Sequence, residues 1–149
     1  MFGSDVSGPD KLKGTHLNNR VVARFADGRV VKGSTGDFVP TKEVFHVAAA
    51  DAAPGSKPLK IQTKELKAVF FVKDLVGKPE YQAHQEFDPG RPLTGRKVKV
   101  VFKDGEVLLG TTQGYEPNRP GLFMLPADGD SNIERCYIVA AATREITLL

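Results

Sequence analysis

Side chains able to do chemistry are few in this sequence and widely spaced. Its three histidines, His16, His46 and His84, and its single cysteine, Cys136, share no local spacing. No two histidines stand four apart and no carboxylate pattern around them reads as a metal site. His46 lies between Phe45 and Val47 and reads as a strand residue with an exposed or satisfied ring. Cys136 opens the apolar run "CYIVAAA" and reads as a small buried group rather than a nucleophile. The stretch "DGDSN", Asp128 to Asn132, has oxygens at alternate positions like the start of a calcium loop. Ile133 then occupies the place of the turn glycine and Val139 that of the bidentate glutamate, so it reads as a polar loop. No nucleophile elbow, phosphate loop or dinucleotide glycine pattern occurs. The expectation is a protein that is not an enzyme and carries no metal or cofactor.

Charge suggests a partner. The net charge is +3, divided as +5 over residues 1–78 and −2 over residues 79–149. A polyanion is therefore expected to prefer the first half, where Arg24, Arg29, Lys32, Lys60, Lys64 and Lys67 fall, with Phe70 as a candidate stacking ring. A single cysteine excludes an internal disulfide framework, and no run reaches the roughly 18 apolar residues of a membrane span. The expected location is the cytoplasm, with no membrane partner.

The elements that must position these residues are written twice. Arg20–Phe38 aligns with Lys97–Tyr115 at a constant offset of 77, with seven identities in 19 positions. "FADGRVVKG" thus becomes "FKDGEVLLG", and the same offset brings "LKAVFFV" onto the closing "TREITLL". Repetition over this length marks two equivalent structural units. Val21, Ala23 and Phe25 alternate with more polar neighbours, as do Val98, Val100 and Phe102, which is the period of a half-buried strand. Asp-Gly follows each and signals a hairpin. A two-residue loop would turn Lys32 into the core. A three-residue loop with Gly28 and Gly105 at positive φ instead pairs Ala23 with Val31 and Val100 with Leu108, and burying an unpaired lysine costs more than any turn preference. Gly33 and Gly110 are expected at structural turns.

Five short strands per unit and no helical period predict an all-β chain of two consecutive five-stranded barrels, over residues 20–72 and 97–149. Residues 1–19 read as a flexible tail and 73–96 as an irregular linker, whose Tyr81 and Phe87 are expected to anchor against a barrel. The motifs "DGRVVKGSTGDF" and "DGEVLLGTTQGY", with the tail "CYIVAAATREITLL", resemble SH3-like and Sm-like small barrels, and the stretch "LKAVFFVKDLVG" resembles a bacterial family of paired barrels. Sm-type barrels bind RNA as rings, but Ala140–Thr143 stands where their Arg-Gly pair belongs. A cyclic-dinucleotide barrel of the PilZ type is likewise disfavoured, because Arg91 and Arg96 are five apart and its second motif is absent.

The copies differ on the outward faces of their hairpins. Val22, Arg24, Val30 and Lys32 in the first become Lys99, Val101, Val107 and Leu109 in the second. Val101, Val107 and Leu109 form an apolar patch that predicts a protein partner or self-association through the second barrel. The expected function is a non-catalytic binding or scaffolding module that mediates protein–protein contact. The alternative is an RNA- or single-stranded nucleic-acid-binding protein using the basic first barrel.

Overall fold

A computed structural model describes residues 19–75, 95–116, 118–127 and 132–149. Residues 1–18 of the expected tail, the expected linker anchors Tyr81 and Phe87, and residues 128–131 of the polar loop lie outside the described residues. The first unit runs β1 (Asn19–Phe25), β2 (Val30–Thr35), β3 (Val44–Ala49), β4 (Leu59–Gln62) and β5 (Leu66–Val72). The second runs β6 (Arg96–Phe102), β7 (Val107–Thr112), β8 (Gly121–Pro126), β9 (Ile133–Val139) and β10 (Thr143–Leu148). A single 3-10 turn precedes the last strand of each unit, and no α-helix occurs among the described residues. No helix there is long and apolar enough to cross a membrane.

Both hairpins adopt the three-residue loop. Ala23 pairs with Val31 and Val100 with Leu108, so Lys32 stays on the outer face opposite Val22. Gly28 and Gly105 sit at φ of 99° and 96°, a conformation that a side chain resists. Val21, Ala23, Val98, Val100 and Phe102 are consequently fully buried. Gly33 and Gly110, expected at turns, lie instead inside β2 and β7. Each is a point of close crossing. A Cβ on Gly33 would fall 2.1 Å from the Ala48 carbonyl oxygen, and one on Gly110 would fall 2.0 Å from that of Leu125. The identical threonines beside them explain another shared letter. Thr35 Oγ1 donates to the His46 carbonyl at 2.7 Å and Thr112 Oγ1 to the Phe123 carbonyl at 2.8 Å, which pins each bent strand to the next.

The described strands form one open antiparallel sheet of ten, in the order β10-β6-β7-β8-β9-β5-β1-β2-β3-β4, and the expected pair of separate barrels is not shown. The joint is the ladder between β5 and β9, where Ala68 faces Ile138, Val69 faces Tyr137 and Phe70 faces Cys136. The reason lies in β5 itself. Every residue of "LKAVFFV" is buried, and a strand apolar on both faces must be covered on both. Leu66, Val69 and Phe71 enter the first core with Val21, Phe45 and Val47. Ala68, Phe70 and Val72 enter the second with Val98, Phe102 and Met124. β9 returns the exchange by sending Tyr137 and Val139 into the first core. With about 1.5 to 3 kcal/mol for each large apolar side chain buried, this interlocking binds the units far more firmly than a linker would.

Candidate functional site

Beside the joint is a charged seam. Lys67 stands on β5 with 5% exposure, and its ammonium donates to Asp104 Oδ2 at 2.7 Å and to Glu106 Oε1. Arg24 reaches Glu106 Oε1 at 3.2 Å from β1. Both carboxylates belong to the tip of the second hairpin, so the seam locks that tip onto the first unit. Burial works to raise the Glu106 carboxyl, but Lys67 and Arg24 outweigh it and hold it below the ordinary value. Asp104 is held down by the Lys67 ammonium and by the Glu106 backbone N–H. The copy difference at Arg29 and Glu106 now has a structural meaning. In the first hairpin Arg29 folds back on Asp27 at 2.8 Å and over the Phe25 ring, whereas the second hairpin puts a carboxylate at that position and docks.

The sequence-predicted polyanion residues are thus dispersed. Arg24 and Arg29 have carboxylate partners, Lys32 reaches the Leu75 carbonyl, and Lys67 and Phe70 are inside the protein. Phe70 does leave the first core, as its mismatch with Thr147 suggests, but it enters the second one. Lys60 and Lys64 are exposed. Of the predicted protein-contact patch, Val107 is exposed, while Val101 and Leu109 are half-buried and outside both core clusters.

Cys136 and His46 stand in structural surroundings. Burial pushes the Cys136 thiol up to about 12, and its sulfur points to the Met124 carbonyl oxygen at 3.7 Å, so little thiolate forms near neutral pH. His46 Nδ1 lies 2.8 Å from Asp37 Oδ2, while its backbone N–H donates to Asp37 Oδ1 at 2.9 Å. This pair closes the bend after β2. Among the described residues, no three His, Cys, Asp or Glu side chains come together as a metal site would require.

A concavity lies where the two units meet. It encloses about 760 Å³, a volume in the range of ligand-binding clefts. The segment after β2 supplies Pro40 and Thr41, the bend between β7 and β8 supplies Gln113, Glu116 and Arg119, and the floor comes from Phe123, Leu125, Arg135 and Tyr137. Sheet pleating decides the floor. Phe123 faces Tyr137 across the β8–β9 ladder, and Arg135, two residues from Tyr137, shares its face. Phe38 inserts edge-on among Phe45, Phe71, Phe123 and Tyr137, with ring centroids 4.9 to 6.3 Å away. Such pairs contribute about 0.5 to 1.5 kcal/mol each beyond burial, which makes the floor rigid.

Three details distinguish this floor from plain core. Phe123 and Leu125 each keep 38% of their surface exposed. The Arg135 guanidinium lies 4.3 Å from the Phe71 ring centroid and 5.9 Å from that of Phe123, and no carboxylate pairs it among the described residues. The Tyr137 hydroxyl is buried without a hydrogen-bond partner among the described residues, and burial raises its pKa. That hydroxyl stands where a side chain at residue 121 would be, since a Cβ on Gly121 would lie 2.6 Å from it. Sequence reasoning passed over all of these residues. The repeat held the signal, because the same offset places Phe123, Arg135 and Tyr137 against His46, Pro58 and Lys60. One face of the second copy has exchanged water-facing residues for aromatic ones.

A family model matches residues 17–149, and the chain belongs to that family, the family of unknown function DUF6982. No curated protein and no solved structure matches the chain.

Proposed function

We propose that this DUF6982 member is a non-catalytic binding module whose site is the junction pocket, and that it engages a partner protein there. The observation that carries this reading is the exposed pair Phe123 and Leu125 on a floor held rigid by five packed rings. Exposed apolar side chains grouped on a preformed concave surface are what a partner's anchor residue buries against. The predicted patch of Val101, Val107 and Leu109 belongs to the same unit and is the competing contact surface.

Peptides selected by display against the full chain separate the two. Binding lost in Phe123→Asp and kept in Leu109→Lys is the expected result; the reverse pattern moves the site to the hairpin face. Selected peptides that bind both variants like the parent would contradict either surface. Nucleic-acid binding is the second reading, favoured by the exposed Lys60 and Lys64. Its mark would be oligonucleotide affinity that falls steeply with salt and vanishes in Lys60→Glu with Lys64→Glu.

A further inference from the structure

We infer that the junction pocket takes a partner segment in which a carboxylate stands next to an aromatic side chain. This rests on the binding-module reading and goes beyond it by fixing the ligand's chemistry.

The argument begins with the pocket's charges. Two arginines line it. Arg119 is held by both oxygens of Glu116, at 3.1 and 3.2 Å, and brings no net charge to a ligand. The Arg135 guanidinium carbon stands over the Phe71 ring at 4.3 Å and near Phe123, and the group has no carboxylate partner among the described residues. An aromatic ring takes none of a guanidinium's N–H donors, and those donors match a carboxylate in bidentate fashion. Arg24 and Arg29 each have a carboxylate within 3.2 Å, while Arg20 and Arg144 reach backbone carbonyls; Arg135 differs from all four in standing over exposed aromatic surface at the pocket.

Apolar recognition lies within reach of that charge. Phe123 and Leu125 stand two residues apart on β8 and offer an exposed strip to a ring. Adjacent side chains of an extended segment can therefore place a ring on Phe123 and a carboxylate at Arg135. Tyr137 supplies a third contact. Its hydroxyl lacks an acceptor, and a phenylalanine would fill the same space without leaving a polar atom unpaired. Pro120, Gly121 and Tyr137 all line the pocket, and residue 121 has no side chain beside the hydroxyl, so a small shift there would let a carbonyl oxygen of the segment accept its proton.

The test uses the full chain, ¹⁵N-labelled, titrated with acetyl-Ser-Phe-Asp-Ser-amide and its neutral isostere acetyl-Ser-Phe-Asn-Ser-amide. The acidic peptide is expected to bind about tenfold more tightly, the scale of one charge-assisted bidentate contact. Shifts should centre on Phe123, Leu125 and Arg135. In Arg135→Gln the preference should collapse to less than about twofold while the neutral peptide keeps its affinity; Arg135→Lys should restore part of it. Tyr137→Phe should weaken both peptides alike. Equal binding of the two peptides at the pocket would overturn the acidic requirement and leave the binding module standing. No shift at the pocket with either peptide would overturn both. Binding of free 3-phenylpropionate as tight as that of the acidic peptide would replace the partner segment with a small carboxylate. Phe87→Ala moving the same resonances without peptide would overturn the partner in favour of the chain's own residues.

Discussion

The β5–β9 joint and the two ends of the sheet are built from corresponding strands with opposite chemistry. At the joint Ala68, Val69 and Phe70 face Ile138, Tyr137 and Cys136. Moved by the repeat offset, the same positions are Glu145, Ile146 and Thr147 on β10, and Ile61, Lys60 and Leu59 on β4. Arg135 corresponds to Pro58, which has no N–H to give to a neighbouring strand. The seam diverges in the same way. Lys67 meets Asp104 and Glu106, whereas its counterpart Arg144 would meet Asp27 already occupied by Arg29, cation against cation. Duplication therefore produced two equivalent joints, of which the sequence fuses one and blocks the other. Prolines and charges at sheet edges are how β-proteins prevent further pairing.

Transplanting an edge residue into the joint should have the largest effect. Ala68→Glu, the residue found at its β10 counterpart, places an unpaired carboxylate in the second core and should cost about 4 kcal/mol in denaturant unfolding. A loss below about 1 kcal/mol would mean that the joint opens readily. Asp104→Asn with Glu106→Gln leaves the Lys67 ammonium buried without an anion. A clear loss of stability is expected, smaller than for a fully buried pair because Asp104 is exposed and Glu106 is one-third exposed. The pH dependence has a definite sign. Both carboxyls titrate lower when folded than when unfolded, so their contribution is complete above about pH 5 and is lost as pH falls through the folded values. The parent's melting temperature should accordingly fall more steeply on acidification than that of the double variant.

Unblocking the free ends is a gentler perturbation. Arg29→Glu with Pro58→Arg imitates the fused joint at the first unit's edge and offers Arg144 of another copy a carboxylate. Self-association measured by light scattering should tighten about tenfold, the scale of one new charge pair. Unchanged association would show that some other feature blocks the ends. Tyr137→Phe is the smallest change. Removing an unpaired buried hydroxyl should raise stability by about 1 kcal/mol or less, and a clear loss would show that the hydroxyl has a partner in solution.

Local features of this fold were legible in the sequence. Lys32 fixed the hairpin register, because one alternative buried it, and Gly28 and Gly105 followed from the loop that remained. What alternation could not convey was the identity of the second face. Phe70 reads as outward when only its own unit is considered, and it is buried because β9 and the second core lie beyond it. Lys67 looked like part of a basic surface for the same reason, since its partners Asp104 and Glu106 are 37 and 39 residues away in the chain. The pocket was hidden in the part of the repeat that does not match. Phe123, Arg135 and Tyr137 are unremarkable strand residues until they are set beside His46, Pro58 and Lys60.

Amide hydrogen exchange of the full chain, resolved by residue, tests the fused joint most directly. Amides of Ala68–Val72 and Arg135–Val139 should be the slowest in the protein and exchange only with global unfolding, while those of β4 and β10 exchange by local fraying. Joint amides that exchange faster than those of the β1–β2 and β6–β7 hairpins would show two units that separate, and would contradict a single body with its pocket at the seam.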